Sequence, residues 1–475
     1  MISVVQGASS GIDLTGDWRG SISAGAVPLR LVFHFKRGGD GGWVGTLDSP
    51  DQGAKGMPIG SVALAEGKLI LTFPDIRARY EGSLASDGLA FEGTWAQGPA
   101  VFPLKLAKSA APVPEARRPQ LPRAPFPYAT MDVKFPSLAK DVKLAGTLCI
   151  PRGKGPFPAV VLVSGSGPQD RDETLFGHKP FQVIADHLAR NGIASLRYDD
   201  RGVGGSTGNS VTATTLDFAQ DTEGALRVLR TIGQIRRDAI GIIGHSEGGL
   251  IGPLVAARST EVGFLILLAG PGMPGRTVIL EQVEALQRAM GVPAGESARA
   301  VALQRKLVDV ACSDGDPTDI QRRLLEVADG FAATLSGAEK AEFEKGRPMF
   351  QAQLATLATP WFRTFLTHDP RPVLARLRVP VLALHGGKDL QVVPTTQAPA
   401  IRAALEAGGN RRAKVEILPG LNHLFQTCRT GLPAEYGEIE ETFSPVALKR
   451  MVAFVREVVA AKPSGAPALP PRPSR

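Results

Sequence analysis

The stretch Ala239-Ile240-Gly241-Ile242-Ile243-Gly244-His245-Ser246-Glu247-Gly248 runs from an apolar β-type segment into a Gly-x-Ser-x-Gly turn, and a small-residue helical pattern follows through Gly249, Leu250, Ile251, Leu254 and Val255. Strand, turn and helix in that order is the setting in which a serine is presented at the tip of a sharp, strained turn. Side chains two residues before and after such a serine would meet neighbouring backbone, and Gly244 and Gly248 leave both places empty. The Ser246 hydroxyl is then expected clear of the sheet, at the positive end of a helix, where developing negative charge is favoured. In a chain with 54 glycines the motif by itself also fits an ordinary helix start, with Ser246 as N-cap.

Outward from this turn the sequence alternates. Apolar runs at 159–163, 193–198, 263–268, 379–384 and 414–418 read as buried strands, and helical patterns at 181–191, 216–232, 396–407 and 445–461 separate them. Residues 131–135 and 142–150 read as an antiparallel pair. The alternation predicts an α/β fold with a mainly parallel, doubly wound sheet covered on both faces. It stops between residues 271 and 369, where helical patterns at 278–290, 298–310, 319–328 and 338–357 follow one another. That segment reads as an α-helical cap insertion over the site, with a helical subdomain packed elsewhere as the competing reading. Upstream, residues 11–108 hold short β-type runs separated by Gly- and Asp-rich turns, which predicts an N-terminal all-β meander or small barrel. A turn-rich stretch at 48–56 is expected to interrupt it. The expected divisions are an all-β domain at 1–108, a proline-rich linker at 109–128, core segments at 129–270 and 370–461, the cap at 271–369 and a disordered tail at 462–475.

A serine hydroxyl needs a base, and the base needs an orienting acid. In a doubly wound sheet, functional groups lie beyond the C-terminal ends of the strands. After the run at 379–384 comes His385-Gly386-Gly387-Lys388-Asp389, and after the run at 414–418 comes Pro419-Gly420-Leu421-Asn422-His423. Ser246, Asp389 and His423 therefore form the candidate triad, in the chain order of the α/β-hydrolase fold. His385 precedes the acid and is expected to orient its loop. Two backbone N–H groups are needed for an oxyanion, and Glu247 and Ser166 are the candidates, the latter in the loop Ser164-Gly165-Ser166-Gly167-Pro168-Gln169-Asp170. Tyr198-Asp199-Asp200-Arg201-Gly202 reads as Asp/Arg pairing that supports the site, since it lacks the Gly-Lys-Ser/Thr of a phosphate loop. The aromatic cluster Trp361, Phe362 and Phe365 at the end of the insertion is the candidate wall of the acyl pocket; gluing the insertion to the core is the competing role.

Composition narrows the alternatives. The 475 residues carry a formal charge of +8, but the basic residues are dispersed among acids, so no nucleic-acid partner is expected. Three cysteines, Cys149, Cys312 and Cys428, make neither a disulfide framework nor a metal spacing, and no structural metal site is expected. No apolar run reaches the ~20 residues of a membrane span. Residues 1–10 lack a signal-peptide pattern, so the sequence as it stands reads as cytoplasmic, with a periplasmic or secreted protein lacking its signal peptide as the alternative.

From about residue 129 onward the chain resembles the α/β-hydrolase superfamily. Gly165-Ser166-Gly167-Pro168-Gln169-Asp170-Arg171-Asp172, Tyr198-Asp199-Asp200-Arg201-Gly202 and Gly244-His245-Ser246-Glu247-Gly248-Gly249 resemble bacterial carboxylesterases of the EstD type. The N-terminal β region resembles the extra domain that some of those enzymes carry. The resemblance implies a serine carboxylesterase that hydrolyses small-molecule, short-chain esters without a cofactor. A serine peptidase or amidase of the same fold is the alternative. The N-terminal domain, whose one histidine is His34 in a β run, holds no catalytic set and is expected to shape access or to sit in a homodimer interface.

Overall fold

The computed structural model describes residues 12–23, 28–39, 41–50, 54–97, 100–109 and 117–461. The predicted tail at 462–475 and the first part of the predicted linker lie outside them. The chain forms two compact units, one of Met1–Arg117 with Leu175–Gly177 and Gln321–Thr356, the other of Arg118–Thr174, His178–Ile320 and Leu357–Arg475.

Among its described residues the first unit holds nine strands: β1 (Gly16–Ser23), β2 (Pro28–Arg37), β3 (Trp43–Ser49), β4 (Ala54–Pro58), β5 (Ser61–Ala65), β6 (Lys68–Phe73), β7 (Ala78–Leu84), β8 (Ala90–Gln97) and β9 (Ala100–Lys108). They form one antiparallel sheet in the order β4-β3-β2-β1-β9-β8-β7-β6-β5. Its two edge strands, β4 and β5, are neighbours in sequence, so the sheet curls into a half-barrel. Alternate residues of β6 and β7 point inward, as period-2 patterning requires. The inward set includes Trp18, Phe33, Phe73, Tyr80, Phe91 and Trp95, with the Phe73 and Trp95 rings 5.0 Å apart. The expected interruption at 48–56 is shorter than its turn residues suggested. β3 runs to Ser49 and β4 begins at Ala54, because Asp48 Oδ1 accepts the Gly56 N–H at 2.7 Å and lets pairing resume. His34 bridges Asp17 and Asp48 across β1, β2 and β3, at 2.7 and 3.1 Å.

In the second unit β10 (Tyr128–Pro136) and β11 (Lys143–Pro151) pair antiparallel, as expected. The elements that follow are β12 (Phe157–Val163), α1 (Pro180–Arg190), β13 (Ala194–Tyr198), α2 (Thr215–Thr231), β14 (Ile235–His245), α3 (Gly248–Arg258) and β15 (Phe264–Leu268). Helices α4 (Gly275–Ala289), α5 (Ala294–Ala311), α6 (Pro317–Ala332), α7 (Gly337–Leu357), α8 (Pro360–Thr367) and α9 (Arg371–Leu374) then interrupt the alternation, most of α6 and α7 belonging to the first unit. It resumes with β16 (Val381–Gly386), α10 (Pro394–Ala407), β17 (Ala413–Leu418) and α11 (Pro445–Ala460). The sheet order is β10-β11-β13-β12-β14-β15-β16-β17, parallel from β13 onward. β12, β13, β15 and β16 are almost wholly buried because both faces are covered. Val161 and Val163 pack on one side with Leu226 and Ile242; Val160 and Leu162 pack on the other with Leu188 and Val455. The aromatic cluster at the end of the insertion is itself a helix, α8, capped by Thr359 accepting the Phe362 N–H. Residues before β10 are bonded into this unit: Arg118 donates to the carbonyls of Gly437 and Ile439, and Gln120 to that of Phe443. No helix among the described residues is long and apolar enough to cross a membrane.

Candidate active site

β14 carries the chain to Ser246, which adopts φ +52°, a left-handed conformation costly for a residue with a Cβ. The turn closes because its glycines are bare. A Cβ on Gly244 would stand 2.0 Å from the Gly248 carbonyl oxygen, and one on Gly248 would stand 2.2 Å from that of Val163. The Ser246 N–H is anchored to the Leu268 carbonyl at 2.8 Å, which fixes the turn to the end of β15.

Asp389 follows β16 and His423 follows β17, and the two loops interlock. A Cβ on Gly386 would meet the Asn422 and Leu421 carbonyls at 2.4 and 2.5 Å, and the Lys388 N–H donates to the Leu421 carbonyl. His423 Nδ1 lies 2.8 Å from Asp389 Oδ2, both side chains buried. Asp389 Oδ1 accepts the N–H groups of Gln391 and Val392, so the carboxylate cannot turn away. Asn422, not singled out by the sequence, pins the histidine loop by accepting the N–H groups of Leu424 and Gln426. His385 does not orient its loop: it is fully buried and neither ring nitrogen has a partner, and burial pushes its pKa down to about 4.

The loop after β12 lies against the serine. A Cβ on Gly165 would be 3.1 Å from Ser246 Cβ. Two carboxyls hold this loop from behind. Asp200 accepts from Ser164 Oγ and the Gln169 N–H, and Glu173 Oε1 accepts the Gly165 N–H at 2.7 Å. Burial raises the Asp200 pKa well above its ordinary value. The N–H groups of Ser166 and Glu247 have no protein acceptor among the described residues. The expected Asp/Arg pairing is present, though with distant partners: Arg171 grips Asp199, and Arg201 grips Asp221.

The Glu247 side chain turns away from solvent. It accepts from Thr215 Oγ1 at 2.6 Å and from the Trp361 indole N–H at 3.0 Å, and burial raises its pKa although these bonds and the Ser166 side chain oppose the rise. Trp361 stacks on Phe365 and meets Phe362 edge-on, while Phe365 packs with Leu250, Val278 and Val392. Helix α8 is thus fastened to the residue beside Ser246. Among the described residues no group of three His, Cys, Asp or Glu side chains is arranged to hold a metal.

The family model of the alpha/beta hydrolase family matches residues 160–431, which spans this whole constellation. The chain belongs to the alpha/beta hydrolase family. Esterase EstD of Thermotoga maritima is 30% identical over 281 residues, 59% of this chain and 58% of that protein, so the chain matches just over half of its relative's length. Among solved structures, an esterase of Pyrococcus furiosus aligns at 14% identity over 74% of this chain and 99% of that one, with a TM-score of 0.43. A proline iminopeptidase of Mycobacterium smegmatis aligns at 16% identity over 70% and 100%, with a TM-score of 0.44.

Proposed function

We propose that this α/β hydrolase is a serine carboxylesterase acting on short-chain esters. The observation that carries the reading is the buried His423–Asp389 contact at 2.8 Å, in loops at the same edge of the sheet as the strained, glycine-flanked serine that follows β14. With Nδ1 held by Asp389, His423 Nε2 is left to take the proton of Ser246 as Oγ adds to the ester carbonyl carbon. The N–H groups of Glu247 and Ser166 receive the resulting oxyanion. Collapse expels the alcohol, which takes its proton from His423, and leaves an acyl group on Ser246. Water adds to this acyl-enzyme with His423 again as base, releasing the acid and the free serine. The name of the Thermotoga maritima relative supports an ester over an amide. The contact of Trp361 with Glu247 supports an acyl pocket bordered by α8.

A fluorophosphonate probe should label the protein once, at Ser246. Ser246→Ala should lose the label and about 10⁶-fold in kcat while its circular dichroism is unchanged. A panel of p-nitrophenyl esters run beside peptide amides tests the substrate class. Faster turnover of the amides would replace the esterase reading with a peptidase.

A further inference from the structure

The reaction as written leaves two buried polar side chains at the site unused, Glu173 and His245, each 6% exposed. They join two loops and the end of a strand. Glu173 Oε1 accepts the Gly165 N–H at 2.7 Å and faces His245 Nδ1 at 2.8 Å; His245 Nε2 faces the His423 carbonyl oxygen at 3.0 Å. Gly165 belongs to the loop after β12, His245 is the last residue of β14, and His423 follows β17. The chain is bent to make these contacts, since Glu173 sits at φ +52°, which a non-glycine residue keeps only where its surroundings hold it.

The partners dictate the state of the ring. A carbonyl oxygen carries no proton, and Glu173 Oε1 already receives the Gly165 N–H. With Glu173 ionised, both ring nitrogens donate, and neutral imidazole has a single N–H. Burial opposes a charged ring, but the Glu173 carboxylate and the His423 carbonyl outweigh it and raise the pKa. Asp389 adds attraction from further off, and the His423 ring lies 4.9 Å away between centroids.

We propose that Glu173 and doubly protonated His245 form a buried tie that positions the oxyanion loop and the catalytic histidine relative to Ser246. The proposal rests on the serine-hydrolase reading above and deepens it. Engaging the Gly165 N–H leaves that of Ser166 as the loop's donor toward the site. Holding the His423 main chain sets where its ring stands. Neither residue makes or breaks a bond in the reaction as written, so both are positioning residues, and their worth lies in geometry: a displacement of about 1 Å at such a site costs about 100-fold in rate.

The test uses the full-length protein. With ¹⁵N-labelled histidine, the His245 resonances, assigned by their loss in His245→Gln, should show both nitrogens protonated at about pH 8, where an unperturbed histidine is neutral. A neutral tautomer there would overturn the proposal without recourse to any variant's folding. Glu173→Gln keeps the shape but removes the counter-charge, so its His245 should become neutral. Both single variants should lose about tenfold or more in kcat on p-nitrophenyl acetate and in the rate of fluorophosphonate labelling, with the labelling end point still one per chain. KM should stay within about threefold, and the double variant should be no slower than the slower single one, as for groups that act as a unit. Folded variants with kcat within about twofold of the parent would show the tie to be structural only. Absence of label on the parent would remove the Ser246 assignment and the tie's role with it, a result distinct from labelled but unimpaired variants.

Discussion

Ser246 stands where a side chain is strained, and the strain is tolerated because Gly244 and Gly248 leave room for the two backbones that cross beneath it. The same economy of space governs the partners. Gly386 lets the aspartate loop lie against the histidine loop, and from there Asp389 reaches His423 with one oxygen while two backbone N–H groups hold the other. Asp389→Asn would present an amide to the imidazole and favour the tautomer with its proton on the wrong nitrogen. The expected loss is up to about 10⁴-fold in kcat with the fold retained, measured by steady-state kinetics and thermal melting. A loss of only a few-fold would mean that another carboxylate orients the ring. Residue type and position after a strand made Ser246, Asp389 and His423 the candidates. His385 shows the limit of that logic: read as lying just beyond a strand, it lies within β16, buried and with no partner on either ring nitrogen.

At the scale of elements, helix α8 and the β1–β2–β3 ladder each carry a polar contact that periodicity does not announce. The indole of Trp361 contributes a hydrogen bond to buried Glu247 and a stacked face to Phe365. The two contributions can be separated. Trp361→Phe removes the N–H and trims the ring while keeping an aromatic wall, and should cost about 1–2 kcal/mol of stability, read from denaturant melts, with little change in acyl-chain preference. Trp361→Ala also removes the wall and should shift preference toward longer acyl chains; an unchanged profile would leave the helix with a fastening role only. In the ladder, His34 lies between two aspartates. Burial disfavours its charge, but Asp17 and Asp48 outweigh burial and raise its pKa. A raised pKa means that the folded state binds the proton more tightly than the unfolded one. The stabilisation is therefore complete below about pH 6.5 and is lost as pH rises through the folded value. The difference in Tm between the parent and His34→Gln should accordingly shrink from about pH 5.5 to about pH 8.5. A difference constant across that range would exclude the charged ring as its source.

Across the whole molecule the candidate site residues lie in one unit. Ser166, Glu173, His245, Ser246, Glu247, Trp361, Asp389 and His423 all belong to the second, whereas the nine-stranded half-barrel belongs to the first together with residues 321–356 of the helical insertion. Removal of residues 1–110 should then preserve fluorophosphonate labelling at Ser246 and turnover of small activated esters. It should lower thermal stability and alter KM for bulky esters or the oligomeric mass, read by an ester panel and light scattering. A truncated protein unable to react at Ser246 would show that the β unit is required to assemble the site. Unchanged mass, stability and substrate profile would make it an appendage.

What could be read from the chain alone was whatever is written locally. Apolar runs bounded by turn residues marked the strands, 3.6-residue patterns marked the helices, and the Gly244 and Gly248 positions marked the elbow. The order of Ser246, Asp389 and His423 followed, because each lies a few residues beyond a strand end and the parallel sheet brings those ends to one edge. Contacts between side chains remote in sequence were decided only by the tertiary structure. Glu173 and His245 are 72 residues apart, Glu247 and Trp361 are 114, and His245 reaches the His423 carbonyl across 178. No period or motif connects such pairs. With His385 as the exception, the buried carboxylates and imidazoles at the site take complementary groups that the packed fold brings within reach, since an unpaired buried polar group is costly.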